Sequence, residues 1–182
     1  FFYTTGDPTK PGGDNQPPMP PQGKGLLLEA VASGKGFIGS HCANDTFHSQ
    51  GPAFETQDEE KRDPYIRMLG GEFIRHGEQQ EATLRLVSPK FPGCAELGES
   101  IRLKEEWYSS KNFAPDIHVI LVQETTGMRN PDYQRPPYPA TWARRHQKGR
   151  VFYSPMGHRK DVWENQKFQK LLLGGNAFAL GG

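Results

Sequence analysis

The stretch Gly34-Lys-Gly-Phe-Ile-Gly-Ser-His-Cys-Ala-Asn-Asp45 constrains the fold more than any other part of the chain. Phe37 and Ile38 form a short apolar run that fits a buried strand, and Gly39-Ser40 ends it. Reactive side chains follow at once: His41, Cys42 and Asp45, with His48 just beyond. Upstream, residues 22–33 place Leu26, Leu27, Ala30 and Val31 on one helical face, and Gly34 supplies the stop. Earlier still, residues 1–5 read as a strand. Strand, helix and strand in that order predict a right-handed parallel crossover. Ligands of open parallel sheets bind beyond the carboxyl ends of strands, so the cluster after Ser40 is a candidate site.

The remaining segments extend this pattern. Residues 6–21 form a loop rich in Gly, Pro and Asp, and residues 49–62 form a polar one. Residues 63–69 are predicted as a short helix, with Asp63 as its cap, Pro64 in its first turn and Gly70-Gly71 at its end. Phe73-Ile74 leads into His76. Residues 82–87 and 100–108 alternate apolar and polar, as half-solvated strands do. The run 118–122 is continuously apolar after His118 and suits a central strand. Residues 140–145 and 150–153 predict two more strands joined by a turn at Lys148-Gly149. Residues 161–173 predict an amphipathic helix with Val162, Phe168, Leu171 and Leu172 inward, stopped by Gly174-Gly175. Together these elements predict an α/β fold with a mixed sheet.

Charge narrows the partners. Twenty-two basic residues against 21 acidic leave a net charge of +1, so no field gathers nucleic acid or an anionic membrane. No run approaches the roughly 20 apolar residues that span a bilayer. Two cysteines make no disulfide framework, and Cys94 sits in the turn Phe91-Pro-Gly-Cys94. No phosphate loop, dinucleotide fingerprint or serine elbow is present. The opening residues lack Met and read as the middle of a sheet, as in a fragment or a mature form missing upstream elements. A periplasmic or secreted location is favoured over a cytoplasmic one. An exposed sheet edge left by missing strands would promote a homo-oligomer.

His41, His76 and His158 stand at the ends of three strand-type segments, each near glycine. Three imidazoles at one rim could hold a zinc-like divalent ion with a position open for water or a carbonyl oxygen. They could equally line a metal-free polar pocket, or each bond to structure separately. Cys42 neighbours His41, but adjacent side chains on a turn tend to point apart, so a buried thiol is the preferred reading over a nucleophile. Asp45 either caps the helix after the elbow or orients His41, and His48 is a pocket wall, with a surface histidine as the alternative. Adjacent residues of a strand face opposite ways, so only one of Glu105 and Glu106 can reach a site; Glu106 shares its face with Tyr108. Glu124, past the central run, is either functional or a loop salt bridge. Trp107, Tyr108, Trp142 and Trp163 could stack on a pyranose, although most aromatics serve the core.

Taken in order, Gly34–Asp45 with Thr46-Phe-His48, Leu69-Gly-Gly-Glu-Phe-Ile-Arg-His76, Glu105-Glu-Trp-Tyr108, Tyr138-Pro-Ala-Thr-Trp142 and Gly149-Arg-Val-Phe-Tyr-Ser-Pro-Met-Gly-His158 with Trp163 resemble the ThuA-like, trehalose-utilisation family. The resemblance implies a class I glutamine amidotransferase-like fold: a three-layer, flavodoxin-like, mostly parallel sheet. It implies one domain over residues 1–182 that lacks the family's first strand-helix-strand, with residues 1–5 as its third strand. In the wider superfamily the elbow after this strand carries a nucleophilic cysteine. Here that position falls on His41, with Cys42 one step later, so thiol chemistry does not carry over. The implied role is in sugar metabolism, on a sugar or an oxidised (keto) disaccharide such as 3-keto-trehalose. The chemistry expected at the rim of His41, His76 and His158 is that of a hydrolase or a keto-sugar isomerase or lyase, metal-assisted or not. The alternative is a non-catalytic carbohydrate-binding or accessory module using the same pocket. The expected catalytic residues are His41, Glu106 and His158. Asp45, His48, Tyr108 and Trp142 are expected to contact the sugar, and His41, His76 and His158 to hold a divalent metal such as zinc. The expected partner is a small sugar, with no nucleic acid and no membrane.

Overall fold

The computed structural model describes residues 1–13 and 16–182. Its strands are β1 (Gly36–Ser40), β2 (Glu72–His76), β3 (Gln80–Leu86), β4 (Ser100–Glu105), β5 (Tyr108–Lys111), β6 (His118–Gln123), β7 (Tyr138–His146) and β8 (Gly149–Ser154). Six of them form one curled sheet in the order β1-β8-β7-β6-β3-β4, while β2 and β5 pair apart from it. The central position predicted for residues 118–122 is correct.

The expectation of a mostly parallel, flavodoxin-like sheet is corrected. Among the described residues only β1 and β8 form a parallel ladder, and every other ladder is antiparallel. Parallel neighbours require a return crossover, usually helical. The α-helices here are α1 (Gly23–Ala32), α2 (Pro64–Leu69), α3 (Lys160–Trp163) and α4 (Gln166–Leu180), and none lies between β2 and β8. That stretch can therefore only fold back on itself. The N-terminal segment does run parallel to β1. Phe2 bridges Gly39 and Gly6 bridges Thr46, but as isolated contacts and not as a ladder. Of the 6–21 loop, Asp14 and Asn15 lie outside the described residues.

Strand direction sets the rest. Across the sheet β1, β8, β6 and β4 run one way, and β7 and β3 the other. The carboxyl ends of β1, β8 and β4 thus share one edge. The single strand expected over 100–108 is broken there. β4 stops at Glu105 and β5 starts at Tyr108 in the smaller sheet. Between them Trp107 is fully buried, donating its indole N–H to the Gln80 carbonyl at 2.9 Å, while its own carbonyl accepts from Tyr133 at 2.6 Å.

Both faces of the sheet are covered. Leu84, Ile101, Ile120 and Phe152 pack with Phe168 and Leu171 of α4 on one side. Phe37, Trp142 and Tyr153 pack with Tyr65 and Leu69 of α2 on the other. Each such buried Phe or Leu contributes roughly 1.5–3 kcal/mol over an exposed one. As expected, Asp63 caps α2 by accepting from the Tyr65 N–H, and Gly70 ends it at φ 89°. Two helical expectations are corrected. In α1 only Val31 is fully buried, and Leu26 faces solvent. The helix expected over 161–173 is two helices, recapped by Asn165, and α4 runs straight through Gly174-Gly175 to Leu180. These glycines are packing residues and not a stop. A Cβ on Gly174 would sit 1.8 Å from the Pro92 carbonyl oxygen, and one on Gly175 2.5 Å from the Phe152 ring. No described helix is long and apolar enough to cross a membrane.

A pair of substitutions tests this. Gly174→Ala should destabilise by at least about 1–3 kcal/mol through overpacking against backbone. Gly25→Ala, where a Cβ in α1 meets nothing within 4 Å, should stabilise by roughly 0.5–1 kcal/mol. Urea unfolding midpoints measure both.

Candidate functional site

The site is built where β1, β8 and β4 end together. After Ser40 the chain turns sharply: His41 adopts φ 47°, a left-handed backbone uncommon for any residue with a side chain. The turn is braced from beneath. The Tyr153 hydroxyl donates to the His41 carbonyl at 2.8 Å, and the Ser40 hydroxyl donates to the Met156 carbonyl at 2.8 Å. The imidazole that this elbow presents is buried, with Nδ1 3.0 Å from the Pro155 carbonyl oxygen. Burial lowers its pKa, outweighing that bond and the carboxylates of Glu105 and Glu106.

The two glutamates that follow β4 divide the work. Glu105 turns inward and is fully buried, accepting from the backbone N–H groups of Gly157 at 2.9 Å and His158 at 3.1 Å. It ties the loop after β8 to the end of β4. Glu106 turns toward the rim and meets all three imidazoles. Its Oε2 lies 3.3 Å from His41 Nε2 and 3.4 Å from His158 Nδ1, and its Oε1 lies 3.5 Å from His76 Nδ1. His76 reaches it because β2 and β5 are registered with His76 opposite Tyr108, and the two rings stack at 5.7 Å. Tyr108 is buried against His41, with ring centroids 4.4 Å apart, and burial and the Glu106 charge keep its phenol protonated far above the usual range. His76 and His158 are partly exposed, so the cluster opens to solvent on their side.

The donor atoms of His41, Glu106 and His158 all lie within 4.8 Å of one another. His76, expected with His41 and His158 in a metal set, lies outside this group, and its Nδ1 also meets the Gly77 carbonyl oxygen at 3.1 Å.

Asp45 and His48 form a neighbouring group. Asp45 neither caps the turn nor orients His41, as was expected. It accepts from the Thr5 hydroxyl and from His48 Nε2, the latter at 2.7 Å. His48 Nδ1 faces Glu72 at 3.2 Å. The two carboxylates push His48 up to about 9. Burial of Glu72 opposes its ionisation, but hydrogen bonds from His48, Ser49 and Asn112 prevail and hold it at about 2. Asp45, His48, Ser49 and Glu72 line a cavity of about 290 Å³ with Phe73 and Lys111. A second cavity of about 490 Å³ lies beyond His158, against Gln79, Arg159 and Asp161.

Other expectations fare differently. Trp142 cannot stack on a sugar: it is fully buried, and its indole N–H donates to the Leu69 carbonyl at 2.8 Å. Cys42 is no ready nucleophile, since burial and the charges of Asp45 and Glu106 push its thiol up to about 11. Glu124 bonds Arg85 at 2.6 Å, the bland alternative. Sequence reasoning missed Glu72, although a lone carboxylate in the apolar run Leu69–Ile74 signals a buried, partnered charge. It also missed Tyr3, which donates to the Gly157 carbonyl at 3.0 Å beside Trp163.

The sequence profile of the ThuA family, described as trehalose utilisation, matches residues 13–179. No curated protein matches. A structure described as ThuA-like from Bacteroides uniformis superposes with a TM-score of 0.68 at 18% identity, over 89% of this chain and 65% of that one. Another from Parabacteroides merdae gives 0.59 at 20% identity, over 93% and 68%. A β-galactosidase from Bacillus circulans sp. alkalophilus gives 0.57 at 12% identity, over 88% of this chain but 21% of its own. The structural likenesses are likenesses of fold.

The His48 network has a definite pH signature. A raised imidazole pKa contributes stability that is complete below its ordinary 6.5 and is lost as pH climbs through about 9. The depressed Glu72 pKa contributes stability that is complete above its ordinary 4.5 and is lost as pH falls through about 2. The urea midpoint of the wild type should therefore fall between pH 6.5 and 9, and His48→Gln should flatten that fall. An unchanged alkaline slope in the variant would contradict the assignment.

Proposed function

The chain belongs to the ThuA, trehalose-utilisation, family, and from that premise we propose that it works in carbohydrate metabolism, with the Glu106 rim as the place where a sugar or oxidised sugar reacts. The observation that carries this reading is the contact of one carboxylate with three imidazoles at the shared strand edge. Glu106, His41 and His158 are its catalytic residues, and Tyr108 contacts the sugar. Asp45 and His48 bound the adjoining space. The cavities of about 490 Å³ at His158 and about 290 Å³ at Asp45 and His48 are near the lower end of the range for small-ligand sites, roughly 300–1,000 Å³.

The chemistry best served is proton transfer beside a carbonyl. That step needs a base for the C–H proton and a donor for the oxygen that gains charge. Glu106 Oε1, on the open side next to His76, takes the proton. The electron pair moves onto the carbonyl oxygen, which receives a proton from the His76 or His158 imidazole, since His41 keeps its hydrogen on Nδ1 against Pro155, to give an enediol. The protonated Tyr108 phenol is a fixed donor at the same rim. Return of the proton at the next carbon isomerises the sugar, and loss of a leaving group from the adjacent carbon makes the reaction an elimination.

Incubating the protein with 3-keto-trehalose in D₂O, followed by NMR, tests this. The wild type should exchange or consume the C–H next to the carbonyl. Glu106→Gln should slow this by about 10²–10⁴-fold, the usual worth of a positioned base, and should still bind the sugar. An equal rate in the variant would overturn the role of Glu106. Sugar binding by the wild type with neither exchange nor product would replace the enzyme by a binding module.

A further inference from the structure

We infer that His41 Nε2, Glu106 Oε2 and His158 Nδ1 form a site for one divalent transition-metal cation of the zinc class. This rests on the Glu106 rim being the functional centre, and adds to it a cofactor and a ligand set.

The Pro155 carbonyl, 3.0 Å from His41 Nδ1, can only accept, so Nδ1 carries the hydrogen. In the neutral ring Nε2 then presents a lone pair, and it presents it to a carboxylate oxygen 3.3 Å away. Two lone pairs facing each other repel unless positive charge lies between them. A second proton on the ring would give a charge-assisted bond, normally about 2.7–2.9 Å long. This protein shows such a bond elsewhere: His48 Nε2 and Asp45 are 2.7 Å apart. The Glu106 contacts to His41 and His158, at 3.3 and 3.4 Å, are longer by half an ångström or more. They match instead the edge of a tetrahedron whose metal–ligand bonds are about 2.0–2.1 Å, which is about 3.3–3.4 Å.

The surroundings agree. A metal-bound histidine commonly gives its other ring N–H to a carbonyl, which fixes the tautomer, and His41 does so. The backbone of His158 is held by the buried Glu105 carboxylate at 3.1 Å, and that of His41 by the Tyr153 hydroxyl at 2.8 Å. Both ligands are thus set before any ion arrives. Two imidazoles and one carboxylate select a transition metal over magnesium or calcium, which prefer oxygen alone. The partial exposure of His158 leaves one side open for a fourth ligand, water or a substrate oxygen. Glu106 Oε1, on the His76 side, remains outside the ligand set.

The full-length chain, stripped with chelator and dialysed against zinc, should retain one ion per chain by mass spectrometry, and its cobalt form should show the strong visible bands of four-coordinate cobalt. Glu106→Gln and His158→Ala should each weaken zinc binding by more than the about 10–100-fold that loss of an outer partner costs. His76→Ala should leave it unchanged. His158 lies in a part-exposed loop, so its variant keeps the fold, which circular dichroism verifies. No bound ion in the wild type, or an ion indifferent to both ligand substitutions, overturns the site. The D₂O exchange run in parallel on chelated protein separates the two readings. Exchange without an ion sinks the metal alone, and an ion without sugar binding sinks the carbohydrate reading alone.

Discussion

Two hydrogen bonds from one buried carboxylate hold the functional end of this molecule together. Glu105 stands at the end of β4, and the backbone N–H groups that donate to it, those of Gly157 and His158, follow β8. Four ladders separate these strands in the sheet. At about 4.8 Å per ladder a flat sheet would set them about 19 Å apart. The bonds close that gap through the curl of the sheet together with the residues between Ser154 and Gly157. A buried N–H left without its acceptor costs about 1–3 kcal/mol, so the loop cannot drift from Glu105 cheaply. His158 is thereby placed beside Glu106, the next residue along the chain.

Adjacent glutamates with opposite duties follow from backbone geometry. Successive side chains of an extended chain point to opposite sides. One carboxylate of the pair satisfies backbone donors in the interior while the other reaches the rim. The break between β4 and β5 keeps this alternation, with Trp107 again inward and Tyr108 facing the imidazoles. Site and core are consecutive residues of one segment.

This alternation is why much of the site could be read from the sequence. The choice of Glu106 over Glu105, and its grouping with Tyr108 and the histidines at 41, 76 and 158, needed only strand periodicity and glycine punctuation. Local elements were legible for the same reason: β1 and α2 fall where Phe37-Ile38, Asp63-Pro64 and Gly70 put them. Strand direction was not legible, because a run such as Leu84 to Leu86 is the same against a parallel or an antiparallel neighbour. The fate of Gly174-Gly175 was hidden too, since their reason is the Pro92 carbonyl and the Phe152 ring, far away in sequence. Trp142 was misassigned because an indole that bonds a core carbonyl and one that faces a ligand look alike in a string of letters.

The elbow at His41 carries a consequence for how such a site can change. Its left-handed backbone throws one side chain forward, whatever its chemistry, and leaves the next, Cys42, half-hidden with its thiol protonated. Gly39 keeps this turn in place, since a Cβ there would press on Ala43 at 3.0 Å and Tyr153 at 3.2 Å. Loss of a single residue from β1 would slip its register on β8 and send Phe37 and Ile38 to the opposite faces. The residue that stands at the elbow is thus fixed by the packing of the strand before it.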